Sequence, residues 1–514
     1  MTPFQTQKAD PCLEDFQCAL AFHQKGKLAE AKNIYEKILT KDPVHFDALH
    51  LSGVHAFQMG RFDEAIVFFT KALQLNKQFA PLHLNSGSAF QELRRYEDAL
   101  SSFERAISIK PDYAEAFYNR GVTLKELGLM TEALESYDKA IAIRSDYVEA
   151  LNNRGITLQC LRRFNEALQN FDQLISIKSD DAEVFLNRGL ALKELNRLDE
   201  ALHSYDQAIS IWPDYAEAFY NRGLTLKGLN RLGDALNSYD KAISIRSDYV
   251  EALNNRGVAL QELKRFDAAL ISYHRAIAIK PDFALAYNNC GNALKELHRF
   301  DAALESYART IVLQSDFAEA FNNHGVALKE LKRFEEALQS YAKAISIRPN
   351  YPEAFNNRGV ALQDLKRFDE ALQDYDTAIR HKSDYFIAHS NRLFTMGYVE
   401  GITEAERFDE ACTFGINVSR HLSDPFTSWN TVDASDHLRI GLVSGDFRRH
   451  SVGFFLESVL SNLDCTKLEL YAYTNNLHQD DLTLRMKKRF ASYKSLVGLT
   501  DRAAANFIHS DGIQ

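Results

Sequence analysis

Several scarcities narrow the reading before any motif is considered. The six cysteines (Cys12, Cys18, Cys160, Cys290, Cys412, Cys465) never fall in C-x-x-C spacing, which argues against zinc ribbons, thioredoxin-like motifs and disulfide frameworks. They read as buried free thiols, and no metal site is expected. Only 10 prolines in 514 residues exclude collagen-like or long proline-rich stretches. No run of about 18 uninterrupted apolar residues occurs, and the opening MTPFQTQKAD lacks a basic start followed by an apolar stretch. Neither a membrane helix nor a secretory leader is expected, and the chain reads as cytoplasmic. A basic excess is missing as well: 60 Lys plus Arg stand against 70 Asp plus Glu, a formal charge of −10. From Leu438 onward there are 10 basic and 8 acidic residues, so the acidic surplus lies ahead of that point. Such a balance disfavours nucleic acid, whose binding depends on neutralising phosphates.

What is present is repetition. Glycine recurs every 34 residues, at Gly53, Gly87, Gly121, Gly155, Gly189, Gly223, Gly257, Gly291, Gly325 and Gly359. An alanine follows 12 residues later (Ala65, Ala99, Ala133, through Ala371), and an aromatic 4 residues after that (Phe69, Phe103, Tyr137, through Tyr375). Ala19, Ala31 and Tyr35 place an earlier unit in the same frame. Within AEAFYNRGVTLKELGLMTEALESYDKAIAI, apolar residues recur every three or four positions in two stretches, which predicts two amphipathic helices joined by a short turn. Gly121 and Ala133 permit close helix approach, and Tyr137 fills the space beside them. A longer period is superimposed: DYAEAFYNRG at 112–121 returns at 214–223, and IRSDYVEALNNRG at 143–155 returns at 245–257. That three-unit shift indicates growth by internal duplication.

The period and pattern resemble the tetratricopeptide repeat. The resemblance predicts a mainly all-α chain: eleven repeats over residues 12–385, then a degenerate closing repeat with Ala405 over 386–421. Units of this kind bury their apolar faces only against neighbours, so a right-handed superhelical solenoid with a long concave wall is expected. Client proteins or peptides would lie along that wall, and self-association of such an array is compatible with the pattern.

Two residues before each glycine from the second unit onward stands asparagine: Asn85, Asn119, Asn153, Asn187, Asn221, Asn255, Asn289, Asn323 and Asn357, continued by Asn391 in the closing unit. Asparagine is a poor helix-interior residue, and its amide offers both a donor and an acceptor to a peptide main chain. A row in register could hold an extended polypeptide without reading its sequence. The alternative is that each asparagine satisfies local polar groups. Arginine follows in several units (Arg120, Arg154, Arg188, Arg222, Arg256, Arg358, Arg392), either favouring acidic or polar clients or pairing with the abundant carboxylates.

The periodicity ends near residue 395. LSDPFTSWNTVDASDH, residues 422–437, reads as a linker. LRIGLVS then reads as a strand, DFRRH as a loop, SVGFFLESVLSNL as a helix, KLELYAYTNN as a second strand, and DDLTLRMKKRF and TDRAAANFIHSDG as two further helices. This order predicts a parallel α/β unit.

The stretch LRIGLVSGDFRRHSVGFFLESVL, with its S-x-D-F-x-x-H element after the first strand, resembles the opening of the catalytic region in the SPINDLY-like and protein O-GlcNAc transferase family. That family also carries tetratricopeptide arrays with an asparagine ladder ahead of two Rossmann-like lobes. The resemblance implies a metal-independent, inverting glycosyltransferase that moves N-acetylglucosamine from UDP-GlcNAc to Ser or Thr hydroxyls of proteins; some plant relatives transfer fucose. Residues 438–514 would then be an incomplete amino-terminal lobe, with a third strand and the nucleotide-binding lobe expected beyond Gln514. The donor-binding residues would lie there, so none is assigned, and the chain alone is expected to be inactive. His450 matches the histidine of the element and would act as general base or position the acceptor; judged without the family it is an ordinary loop residue. A loop leading from a parallel strand into a helix at Ser451 is where α/β folds build ligand crevices. Asp446 reads more simply as a cap of the following helix and Arg449 as a solvated side chain. The reading from another class is a noncatalytic tetratricopeptide scaffold.

Overall fold

The computed structural model describes residues 11–421, 437–463 and 467–513. Residues 422–436 of the expected linker lie outside them. The chain divides into two compact units, Met1–His381 and Lys382–Gln514. The first consists of paired helices, from α1 (Pro11–Gln24) and α2 (Leu28–Lys41) through to α21 (Pro352–Asp364) and α22 (Phe368–His381), which makes eleven pairs among the described residues. The second to eleventh pairs begin 34 residues apart, the spacing of the glycines. In a typical pair, α15 (Val250–Glu262) and α16 (Phe266–Ile279) have 13 and 14 residues.

The turn inside each pair has one recurrent conformation. After α15, Lys264 N–H donates to Gln261 O at 2.9 Å and Arg265 N–H to Leu260 O at 2.8 Å, the two bonds of a Schellman cap. Lys264 takes φ 60°, in the left-handed region. Gly26, Gly60 and Gly128 hold the equivalent position in their units, but Arg94, Arg162, Asn196, Asn230, Lys264, His298, Lys332 and Lys366 occupy it elsewhere. A side chain there is strained. Lys332→Gly is accordingly expected to stabilise the array by about 1 kcal/mol, visible as a higher urea midpoint with unchanged helicity.

The core runs through the stack as a repeated contact. Phe69, Phe103, Tyr137, Phe171, Tyr205, Tyr239, Tyr273, Tyr307, Tyr341 and Tyr375 are fully buried, each with its ring edge laid on the glycine of its own unit. A Cβ on Gly325 would sit 2.6 Å from Tyr341 Cε1, and one on Gly223 2.6 Å from Tyr239 Cε1. Not all the small buried positions were as expected. Of the cysteines whose burial is described, Cys290 is buried, but Cys18, Cys160 and Cys412 are exposed.

In the second unit α23 (Phe386–Met396) and α24 (Glu404–His421) form the closing pair, linked by Arg392 to Glu410 at 2.7 Å. Three parallel strands follow in the order β1 (Leu438–Val443), β2 (Leu468–Thr474) and β3 (Ser492–Ser495). The third strand, expected beyond Gln514, thus lies inside the chain. Its residues Ser-Tyr-Lys-Ser offer no apolar run to announce it. Helices α25 (Ser451–Asn462), α26 (Asp481–Lys487) and α27 (Asp501–Ser510) connect or follow the strands. Phe447, Leu460, Leu470, Leu482 and Met486 form the core. Asp511 anchors the end of the unit: Lys494 Nζ reaches its Oδ1 at 2.6 Å and the Tyr473 hydroxyl donates to its Oδ2.

Candidate peptide-binding ladder and the His450 loop

All ten ladder asparagines are half-buried at equivalent positions of the first helix of their pairs. Their side-chain amides, however, are not equally available. In six units Nδ2 reaches the residue 35 positions earlier, on the preceding unit. Asn153 donates to the Tyr118 hydroxyl at 3.1 Å, and Asn255 to that of Tyr220 at 3.0 Å. Asn289 donates to Asn254 Oδ1 at 3.0 Å, Asn323 to Asn288 Oδ1 at 3.4 Å and Asn357 to Asn322 Oδ1 at 3.0 Å. Asn85 Nδ2 lies 3.0 Å from His50 Nε2. Burial pushes the His50 pKa below its ordinary value, in keeping with a neutral ring that accepts this bond. Asn323 also reaches Asn292 Oδ1 at 3.1 Å, and Asn119 reaches Ser88 Oγ at 3.4 Å. These bonds are struts between units. Asn187 and Asn221 make none. The residue 35 positions before a ladder asparagine carried this signal in the sequence, one place off the 34-residue period.

The arginines beside the ladder are committed inside the stack. Arg188 Nε donates to Asp172 on the preceding unit at 2.7 Å, while its Nη1 donates to Ser204 on its own unit at 2.7 Å. Arg222 with Asp206 and Ser238, and Arg256 with Asp240 and Ser272, repeat the clamp. Arg154 uses Asp138 and Asn170. Arg120 reaches Ser136 at 2.9 Å and Glu104 at 3.6 Å. Arg358 is held in a two-point pair by Asp374. Of the two expectations for these residues, pairing with carboxylates describes them.

At the carboxyl end of β1 the chain turns through Asp446 and Arg449 to His450, which caps α25: its Nδ1 accepts the Val452 N–H at 3.3 Å. The cap is the histidine and not Asp446, whose Oδ2 lies 3.6 Å from the same Nδ1. Gly453 lets the loop lie directly on the helix, since a Cβ there would fall onto the Arg448 carbonyl oxygen. Arg449 is more constrained than a solvated side chain. Its backbone N–H donates to Asp480 Oδ2 at 2.6 Å and its guanidinium pairs with Asp481 at 2.7 Å. Arg449 and Arg485 together hold the Asp481 carboxyl below the usual carboxylate range. Asp480 also caps α26 in a capping box with Thr483, so one carboxylate fixes both that helix and the peptide preceding His450.

Tetratricopeptide-repeat family models match residues 19–79, 84–148, 189–230, 228–264, 250–283, 325–366 and 352–385. The matched segments extend over more than half of the chain, which belongs to the tetratricopeptide-repeat proteins. More narrowly, its array is SPINDLY-like. Two curated relatives, each described as a probable UDP-N-acetylglucosamine–peptide N-acetylglucosaminyltransferase SPINDLY, come from Hordeum vulgare and Arabidopsis thaliana. Both are 29% identical over 127 residues, 24% of this chain. The matches span 13% and 14% of those relatives' own length. Among solved structures, a variant of Thermobaculum terrenum O-GlcNAc transferase is 25% identical with a TM-score of 0.38, covering 45% of this chain and 44% of that one. YrrB, described as a TPR protein with an unusual peptide-binding site, is 28% identical with a TM-score of 0.34, covering 37% and 97% respectively.

Proposed function

We propose that the repeats hold client polypeptides in extended form along the asparagine ladder. We further propose that the α/β unit belongs to a protein O-linked N-acetylglucosaminyltransferase that uses UDP-GlcNAc and Ser or Thr hydroxyls of those clients. The observation that carries this reading is the ladder itself: ten half-buried asparagines in one register, ahead of an S-x-D-F-x-x-H loop whose histidine caps a helix at the carboxyl end of a parallel strand. His450, exposed at the start of α25, would act as general base or position the acceptor. The second reading, a noncatalytic protein-binding scaffold, is favoured by the restriction of the 127-residue matches to the repeats.

Radiolabelled UDP-GlcNAc supplied to the purified chain with a lysate of its source cells tests both. Incorporation into protein, abolished in His450→Ala, would establish the transferase reading and overturn the expectation that the chain alone is inactive. No incorporation while clients are still captured would leave a client-holding array, the part that both readings share.

A further inference from the structure

We propose that the exposed faces of α16, α18 (Phe300–Leu313) and α20 (Phe334–Ile347) dock an acidic polypeptide segment that carries aliphatic side chains. These are the second helices of the eighth to tenth pairs, whereas the ladder lies on the first helices, so the two surfaces are independent. In the preceding units a carboxylate stands at one fixed place on the second helix: Asp138, Asp172, Asp206 and Asp240 each pair with the arginine of the next unit. For three units the row stops. His274, Ala308 and Ala342 hold the place, all exposed, before Asp376 resumes it. The gap is not a mere consequence of losing the arginine. Arg358 is retained in the eleventh unit, and its carboxylate has moved to Asp374, whose side chain is 7% exposed. An aspartate at 342 would serve Arg358 as Asp240 serves Arg256, so the relocation keeps negative charge off the exposed face.

Residues 268–281, 306–315 and 337–352 contain no Asp or Glu, yet they carry Arg275, Lys280, Arg309, Lys343 and Arg348. In a chain of net charge −10 these stretches are local excesses of positive charge. Arg275, Arg309 and Lys343 recur at 34-residue spacing and are exposed, with no ion pair or side-chain hydrogen bond among the described residues. Lys139 and Lys241 hold the same place in earlier units, but Asp138 and Asp240 stand beside them. Apolar groups share the face. Ile271, four residues before Arg275, is 64% exposed, and Val312, three residues after Arg309, is 73% exposed. Beside Ala342 lies a cavity of about 390 Å³ whose lining includes Leu338, Gln339, Arg358, Leu362 and Gln373. Arginine among aliphatic groups is a composition typical of protein interfaces, and unpaired cations select a partner that brings carboxylates. A nucleic acid would meet the cations but no exposed Phe, Tyr or Trp on these faces to stack against.

The test uses the full chain and fluorescein-labelled peptides of about 20 residues composed of Glu, Leu and Ala, read by fluorescence anisotropy beside far-ultraviolet circular dichroism. Arg275→Glu, Arg309→Glu and Lys343→Glu combined should weaken binding about tenfold or more with unchanged helicity. Ala308→Asp with Ala342→Asp, which restores the acid row, should do the same. Val312→Ser should weaken binding about threefold. Lys71→Glu, Arg105→Glu and Lys139→Glu combined alter the same helix place in units far from the patch, and should leave affinity within about twofold because distant charges are screened. No binding by the unsubstituted chain, or equal loss in the two triple variants, would overturn the docking surface. A single-stranded RNA oligonucleotide that binds more tightly than the peptide, and is lost in the Arg275 triple variant, would overturn the polypeptide as occupant. So would a dimer of this chain, seen by sedimentation, that Val312→Asp dissociates.

Discussion

Gly325→Ala is expected to destabilise the array by about 3 kcal/mol, although helix propensity alone points the other way. Alanine in a helix interior is favoured over glycine by about 1 kcal/mol. The added Cβ, however, would stand 2.6 Å from Tyr341 Cε1, 2.8 Å from Cδ1 and 3.0 Å from Cζ. Tyr341 is fully buried, so its ring cannot swing into solvent and must leave its rotamer or push the paired helices apart. Overpacking therefore outweighs propensity. Gly233 supplies the contrast: it lies in the first turn of α14 (Leu232–Ile245), and a Cβ there meets nothing within 4 Å. Gly233→Ala should stabilise by up to about 1 kcal/mol. Urea unfolding of the two variants checks the opposed signs. Hydrogen exchange should show the Gly325 damage confined to neighbouring units, since stability in a stack is a sum of local terms. Combining Gly325→Ala with Tyr341→Leu should cost less than the two single changes added together. Simple additivity in that cycle would mean the glycine is not there for the ring.

The helix pairs were legible because their signal is periodic and redundant: glycine, alanine and aromatic recur at fixed offsets, and each offset has one steric reason. The ladder was legible as a row but not in its division of labour. Whether a rung is a strut depends on the residue 35 positions earlier and on how closely it approaches: the Tyr118 hydroxyl accepts the Asn153 amide and Asn254 that of Asn289, whereas Asn187 and Asn152, the same pair of residue types, do not meet. The arginines were ambiguous for a similar reason, because their carboxylate partners stand 16 residues away on a different helix. In the α/β unit, β1 and β2 announced themselves by apolar runs, whereas β3, Ser-Tyr-Lys-Ser paired with Tyr471 to Thr474, has none. The cap on α25 went to His450 because its ring reaches the Val452 N–H, while the Asp446 carboxylate faces the ring instead. The exposed cysteines show the limit of composition: a thiol's burial depends on which helix face it occupies, and Cys160 and Cys290 differ in that alone.

The Arg358–Asp374 pair marks the unit where the arginine clamp changes form, and its loss should be expensive. Elsewhere the carboxylate sits 16 residues before the arginine, on the preceding unit; at that position here stands Ala342. The carboxylate has moved to the place 16 residues after, where Asp374 takes Arg358 in two bonds of 2.7 and 2.6 Å. The Asp374 side chain is only 7% exposed and that of Arg358 27%, and the bonds to Asp374 push the arginine's pKa above its usual value. Asp374→Ala would leave a half-buried guanidinium without its bonded carboxylate, with Glu370 as a more distant charge, at a cost of about 3 kcal/mol, the lower end for a buried pair because Arg358 keeps some access to water. Arg367–Glu370 has equally short bonds, 2.6 Å for both, yet its side chains are 46% and 52% exposed. Glu370→Ala should shift the unfolding midpoint little and become nearly neutral in high salt. Bond length is the same in the two cases, so solvent access alone separates the expectations. Replacing both members of the inner pair, Arg358→Met with Asp374→Ala, should recover much of the loss, because the penalty lies in the stranded charge more than in the missing attraction. If the double variant unfolds as readily as Asp374→Ala, the pair is instead a positive source of stability at this junction.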